Sequence, residues 1–147
     1  MTIRFSPFAA YLTGLGTWFI PFGIQMVLFP WLVAVVLHMD AFAVGVAQMA
    51  LMAPSLLFLP LGGLAADRGN PRTLLLRYHV LYAIPPLVLA GVLAMGGLSY
   101  PLLIAYGVAA GSISAFAIPT RDALLPTVAS GNLPRAVALA TALQFIG

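Results

Sequence analysis

The stretch "PFAAYLTGLGTWFIPFGIQMVLFPWLVAVVL", from Pro7 to Leu37, contains no charged side chain. A helix needs about 20 mainly apolar residues to cross the roughly 30 Å hydrocarbon core of a bilayer. This run is long enough for a tilted or kinked span, and it ends at the polar residues "HMD". It also exceeds the apolar region of a signal peptide, which is about 7 to 15 residues long, so a cleaved signal is the weaker alternative. Residues 7–37 are therefore predicted to form a first membrane-spanning helix.

The rest of the chain has the same character. The whole chain is 63% apolar, 6% of its residues are charged, and its mean hydropathy is +1.09, whereas soluble domains are about 25% charged. Three further apolar segments, residues 42–66, 78–95 and 100–119, are predicted to span the membrane. Residues 134–147 are predicted to form the first part of a fifth helix. The fold class is an all-α membrane protein with four complete transmembrane helices and the start of a fifth.

The last segment, "LPRAVALATALQFIG", supplies only about two thirds of the length that a span requires. We expect residues 1–147 to be a partial N-terminal transmembrane domain, a fragment of a longer protein. The alternative is a complete four-helix protein whose last segment lies along the membrane interface. That alternative is weaker because the segment's charge is confined to Arg135, and it lacks the strongly charged face of an interfacial helix.

The few charges are distributed unevenly. The chain has six arginines, three aspartates, no lysine and no cysteine, which indicates basic loops and no nucleic-acid surface. The arginines all fall on one side of the predicted bilayer: Arg4, Arg68, Arg72, Arg77, Arg121 and Arg135. The opposite side carries Asp40 and His38. Because cytoplasmic flanks retain an excess of positive charge, a multi-pass plasma-membrane protein with a cytoplasmic N-terminus is predicted.

The segment between the second and third predicted helices, "GGLAADRGNPRTLLLR", holds four of the nine charges. It must lie at or outside the headgroups, where Gly69, Asn70 and Pro71 can form a tight turn. Its spacing is G-x-x-x-D-R-x-x-x-R, formed by Gly63, Asp67, Arg68 and Arg72. The glycine would let another helix approach, and the aspartate could pair with an arginine or a helix N-terminus. The simpler interpretation is that the arginines only hold this loop inside the cell.

At these residues the sequence resembles the major facilitator superfamily, whose loop between helices two and three has the pattern G-x-x-x-D-[RK]-x-G-[RK]-[RK]. The matching residues are Gly63, Asp67, Arg68 and Arg72. Asn70 stands where the second glycine is usual, and Pro71 replaces a basic residue. The resemblance implies that the chain is part of the N-terminal six-helix half of a major facilitator fold. It also implies that the loop is a conformational latch against the other half, which this chain lacks.

A second segment, "FAIPTRDALLPTVASGNLPRAVALATA", is similar to the exporter-like branch of that superfamily, which contains siderophore and macrolide efflux proteins. The match includes Pro119, Arg121 and Pro126, expected in a loop after helix four. The resemblance implies a secondary active transporter that exports a hydrophobic or amphiphilic small molecule by alternating access. With no lysine there is no phosphate-binding P-loop. An ion gradient would then supply the energy, with a coupling proton or other ion as partner, although no predicted span has a charged residue near its centre.

Candidate substrate contacts lie in helices one and four, which line the central cavity in this superfamily. Trp18, Phe22, Gln25 and Phe29 repeat at i, i+4, i+7 and i+11, along one helical stripe. Such a stripe could hold a large apolar molecule, with Gln25 orienting it, and Ser112 adds a polar group in helix four. The alternative is that the aromatics pack or face lipid and that Gln25 bonds to another helix.

Other features narrow the function. Gly107 and Gly111 form a G-x-x-x-G pattern in helix four, which predicts close helix packing. His38 and His79 are isolated, so no metal is expected, and no cofactor is predicted. The chain lacks H-E-x-x-H and G-x-S-x-G motifs, and it is not expected to be an enzyme. The competing function is a noncatalytic polytopic membrane subunit that works only in an oligomer.

Overall fold

The computed structural model describes residues 7–129 and 133–146 of the chain. The helices are α1 (Pro7–Trp31), extended by a π-helical turn (Leu32–Val36), α2 (Ala41–Arg68), α3 (Pro71–Ala94), α4 (Tyr100–Val128) and α5 (Leu133–Ile146). The four long helices are apolar enough to cross a membrane. The predicted all-α fold is thereby confirmed, and the four long helices fit the predicted multi-pass membrane protein by their length and composition. Arg4, which contributed to the predicted orientation, lies outside the described residues.

Helix α3 begins at Pro71, seven residues before the predicted start at residue 78. Its first turn is capped by Asn70, whose side-chain oxygen accepts hydrogen bonds from the amides of Arg72 (3.1 Å) and Thr73 (3.4 Å). Proline is also favoured in the first helical turn, where its missing N–H costs nothing. The predicted loop is therefore wrong in extent, because capping chemistry carries the helix past the end of the apolar run.

Helix α4 continues to Val128, nine residues beyond its predicted end. Pro119, Arg121 and Pro126, expected in a loop, lie inside this helix, so that prediction is wrong. Proline is tolerated in membrane helices where other groups satisfy the backbone. The hydroxyl after each proline donates to a carbonyl oxygen of its own helix, Thr120 to Phe116 (2.7 Å) and Thr127 to Leu124 (2.6 Å). These are not the carbonyls that the prolines leave without an amide partner, which are those of Ala115 and Asp122.

Helix α4 lies at the centre of the bundle and packs closely against α2. A Cβ atom at Gly111 would overlap the carbonyl oxygen of Leu51, and one at Gly107 would lie 3.2 Å from the amide nitrogen of Leu51. Close packing at the predicted G-x-x-x-G pattern is thus confirmed. Glycine at these positions lets the two backbones approach within contact distance.

The α2 side of this interface depends on Gly62. A Cβ atom there would overlap the carbonyl oxygen of Ala115. Gly63, predicted to allow close helix approach, has nothing within 4 Å of its Cβ position among the described residues. Among the described helices the close approach is made at Gly62, and the role of Gly63 stays a prediction. Since one residue is a rotation of about 100° around a helix axis, adjacent glycines face different neighbours.

The described arginines share one end of the bundle. Helices α1, α3 and α5 begin at this end, and α2 and α4 finish there. The residues concerned are Arg68, Arg72, Arg77, Arg121 and Arg135. We call it the arginine end. The opposite end carries His38 and Asp40, whose side chain caps α2 by accepting from the amide of Ala43 (2.8 Å).

Candidate functional site

A cavity of about 490 Å³ lies between α1, α3 and α4, towards the arginine end. Each helix contributes residues spaced by three, four or seven positions, which places them on one helical face. The lining includes Tyr11, Leu15 and Trp18 of α1, Arg72, Leu76 and His79 of α3, and Ala117, Arg121 and Leu124 of α4. Small-molecule sites typically occupy about 300–1,000 Å³ and are mostly apolar with a few polar groups. We call this space the arginine-end cavity.

The arginine-end cavity has an aromatic inner end and a cationic outer half. The rings of Trp18 and His79 are 5.0 Å apart and inclined at 63°. Trp18 follows Tyr11 by seven residues, and His79 follows Arg72 by seven, each a distance of about 10 Å along a helix axis. Because α1 and α3 both start at the arginine end, the two rings lie further from that end of the bundle than Tyr11 and Arg72.

Arg121 is held in the outer half by three contacts. Its Nε and Nη2 both approach Oδ1 of Asp122 at 3.0 Å. Its guanidinium carbon lies 5.0 Å from the ring centre of Phe19, a distance suited to a cation–π interaction. Its backbone carbonyl accepts a hydrogen bond from the Tyr11 hydroxyl (3.4 Å). With 15% of its side chain exposed, Arg121 is a positioned charge, although the sequence had placed it in a loop.

Three of the four predicted latch residues, Asp67, Arg68 and Arg72, are exposed, and Gly63 is half-buried. Gly69 and Asn70 separate α2 from α3, and Asp67 and Arg68 are exposed at the end of α2. Among residues 7–129 and 133–146, Asp67 makes no ion pair with an arginine. Arg72 is the member of the latch set that also lines the arginine-end cavity.

The predicted aromatic stripe on α1 is divided between different environments. Trp18 lines the cavity. Phe29 is 2% exposed and packs against Tyr106, with ring centres 5.6 Å apart. Phe22 is half-buried and is not among the described cavity-lining residues. The cavity thus lies nearer the arginine end than the stripe as a whole.

Gln25 and Ser112 make contacts within the bundle. The Gln25 Oε1 accepts a hydrogen bond from the Tyr82 hydroxyl (2.9 Å), so the amide bonds to another helix, as the alternative interpretation predicted. Its Nε2 is buried with no hydrogen-bond partner among the described residues. Ser112 donates to the carbonyl oxygen of Val108 (2.7 Å) in its own helix, which satisfies the hydroxyl without a ligand.

Two residues of this region were not predicted at a site: Tyr82 was not singled out, and His79 was considered isolated. The Tyr82 ring lies 4.4 Å from Trp18, and His79 contacts the same indole. His79 also places Nδ1 2.9 Å from the carbonyl oxygen of Leu75. Spacing could have found them, because positions 72, 75, 79 and 82 share one helical face. The predicted start of α3 at residue 78 concealed that face.

The unpaired amide of Gln25 leads to a stability prediction. Intramembrane hydrogen bonds contribute about 0.6 kcal/mol on average, whereas an unsatisfied buried group costs about 1–3 kcal/mol. Gln25→Leu removes both the hydrogen bond from Tyr82 and the cost of the unpaired Nε2. It is therefore expected to change the free energy of unfolding by less than about 1 kcal/mol. Tyr82→Phe leaves the whole amide unpaired and is expected to be the more destabilising change. Unfolding of both variants in detergent micelles checks this order, and a less stable Gln25→Leu variant would contradict it.

Comparison with known proteins adds no relative. No protein-family model, characterised protein or solved structure matches the chain. Within residues 7–129 and 133–146, no three side chains of the metal-binding types form a group that could hold a metal ion. The apolar spans and the arginine-end cavity are therefore the observations on which a functional proposal can be based.

Proposed function

We propose that this protein is a secondary active transporter, driven by an ion gradient, that exports a hydrophobic or amphiphilic small molecule by alternating access. The observation that carries the proposal is the arginine-end cavity of about 490 Å³, lined by three long apolar helices. A mainly apolar lining with a few polar groups suits a small organic molecule. Export as the direction is supported by the resemblance of residues 116–142 to the exporter-like branch of the major facilitator superfamily, which residues 63–72 resemble in general.

The packing of the bundle suits this proposal. Helices α2 and α4 are in backbone contact at Gly62, Gly107 and Gly111, which favours their movement as one body. Around the cavity, α1 meets α3 and α4 through large side chains such as Trp18 and Phe19. Side-chain contacts can be exchanged without separating backbones, and domain closure commonly proceeds by such small sliding movements.

Asp67→Asn in the intact protein tests the latch and the transport function together. Because Asp67 is exposed and has no ion pair among the described residues, the substitution removes no contact seen within this bundle. Efflux is expected to fall at least about tenfold, equivalent to about 1.4 kcal/mol in the limiting step, while membrane insertion stays at the wild-type level. The measurement is efflux of cationic, neutral and anionic fluorescent amphiphiles from energised cells. Asp67→Glu, which keeps the charge, should retain most of the transport.

The outcomes separate the two parts of the proposal. Wild-type efflux in the Asp67→Asn variant would show that the latch is wrong while leaving transport intact. If the wild-type protein moves none of the amphiphiles, the transporter proposal fails, and a noncatalytic membrane subunit becomes the better function. Arg77→Gln removes another exposed charge of the same end and serves as the matched control, with efflux close to the wild-type value.

A further inference from the structure

We infer that the arginine-end cavity binds a single-chain amphiphile with an anionic head group, such as a long-chain carboxylate. The inference deepens the proposed function, on which it rests in treating this molecule as the substrate, by naming its chemical class. The binding itself can be measured without transport. The inference about the ligand follows from the charge, the depth and the size of the cavity.

The charge of the lining is positive. Arg72 and Arg121 both line the cavity, and none of its described lining residues is acidic. Asp122, the partner of Arg121, belongs to a smaller neighbouring space of about 230 Å³ beside α5, and its side chain is 61% exposed. Arg72 has no carboxylate partner within residues 7–129 and 133–146. The local charge is thus only partly compensated, which favours an anion.

Arg121 retains hydrogen-bonding capacity after its contact with Asp122. Its Nε and Nη2 are directed to a single carboxylate oxygen. A guanidinium has five N–H donors in a planar fork, so both donors on Nη1 remain available to another acceptor. Planar bidentate donation is the geometry in which arginine binds carboxylates and phosphates most strongly.

Both arginines lie towards the outer side of the aromatic inner end. The Tyr11 hydroxyl bonds to the backbone carbonyl of Arg121, and Tyr11 precedes Trp18 by seven residues, about 10 Å along the helix axis. Arg72 is separated from His79 by the same number of residues. A head group between the arginines would therefore direct its apolar chain along Leu15 and Leu76 to Trp18 and Ala117, all of which line the cavity.

The volume favours one apolar chain over two. At about 490 Å³, the cavity lies in the lower half of the range of about 300–1,000 Å³ for drug-sized ligands. A two-chain lipid would leave much of its surface outside. The chemistry could be presented by a free amphiphile or by a bilayer lipid, and the size points to the free, single-chain molecule.

Trp18 provides a direct test, because it lines the cavity and is 8% exposed. Trp31, the second tryptophan, is 48% exposed and is replaced by Trp31→Phe. The protein is placed in nanodiscs of neutral phosphatidylcholine, and quenching of Trp18 fluorescence is titrated with 9,10-dibromostearate. We expect saturable quenching, with the methyl ester of the same acid binding at least about tenfold more weakly because it lacks the charge.

Substitutions then test the two arginines. Arg72→Gln and Arg121→Gln should each weaken dibromostearate binding by about five- to tenfold, whereas Arg77→Gln, which removes an exposed charge from the same helix, should change it by less than about twofold. Arg121→Lys keeps the charge and should bind better than Arg121→Gln. The thermal unfolding midpoint without ligand reports whether each variant folds. If Arg121→Gln does not fold, the binding measured with Arg72→Gln tests the inference.

Several results would overturn the inference. They are equal quenching by the acid and its ester, an equal loss with Arg77→Gln, or stronger quenching by brominated phosphatidylglycerol than by the free acid. Efflux measurements keep the two proposals separate. Arginine-dependent binding by a protein that transports nothing would support the site and contradict the transporter, whereas efflux of other amphiphiles without carboxylate binding would do the reverse.

Discussion

Replacing Gly62 with alanine is expected to separate α2 from α4, whereas the same change at the next residue, Gly63, is expected to be tolerated. A Cβ at position 62 would overlap the carbonyl oxygen of Ala115. That oxygen belongs to the backbone of the central helix, so it cannot swing aside as a flexible side chain would. Overpacking of this kind costs about 1–3 kcal/mol, occasionally more, and we place Gly62→Ala at about 3 kcal/mol because backbone must move.

A proline explains why the Gly62 contact is sensitive. In a helix, the carbonyl of Ala115 would accept a hydrogen bond from the amide of residue 119, but Pro119 has no N–H. The Cα–H groups of Gly62 lie against this freed oxygen, and such Cα–H···O contacts recur where helices approach closely. Pro119 therefore leaves the Ala115 carbonyl without an amide partner, and Gly62, on another helix, contacts the same carbonyl.

Gly63→Ala is the matched control for Gly62→Ala. Its Cβ would meet nothing within 4 Å among the described residues, and alanine is favoured over glycine in a helix by about 0.8–1.0 kcal/mol. We expect the Gly63→Ala variant to unfold at or slightly above the wild-type midpoint. Thermal unfolding in detergent, followed by circular dichroism, gives both values. Equal destabilisation by the two substitutions would contradict the helix register described above.

The membrane spans could be predicted from sequence because the signal needed is only length and apolarity. Their ends were harder to place, since Asn70 and Pro71 extend α3 through hydrogen bonding that a hydropathy pattern does not record. The sequence predicted close packing between helices only from the G-x-x-x-G pattern of Gly107 and Gly111. Lipid is as apolar as leucine, so an apolar face does not indicate which helix it meets.

The candidate site was predicted in fragments. Trp18 was expected at a substrate cavity, and it lines the arginine-end cavity. Arg121 was singled out, but in a loop, and Arg72 was assigned to the latch alone. Their convergence depends on α3 starting at Pro71 and α4 reaching Val128, which brings both arginines onto cavity-facing surfaces. In the predicted helix 78–95, His79 and Tyr82 shared a face with each other, but that face did not continue to Arg72.

The orientation of the chain leads to the second large effect, an all-or-none difference in cysteine labelling between the two ends of the bundle. The chain contains no cysteine, so single substitutions report without a background. Ser99 and Thr73 are exposed residues at opposite ends, and the Ser99 side chain makes no capping hydrogen bond. We expect Ser99→Cys to react with a membrane-impermeant maleimide in intact cells, and Thr73→Cys to react only after permeabilisation.

The physical reason is the distribution of arginine. Short flanks with an excess of arginine or lysine remain on the cytoplasmic side during insertion, and every described arginine lies at the arginine end, beside Thr73. Labelling of Thr73→Cys in intact cells, with Ser99→Cys protected, would place the arginine end outside the cell. The arginine-end cavity would then face the external medium, and uptake would replace export as the direction to test. Reaction of both variants after permeabilisation serves as the control that each cysteine is accessible.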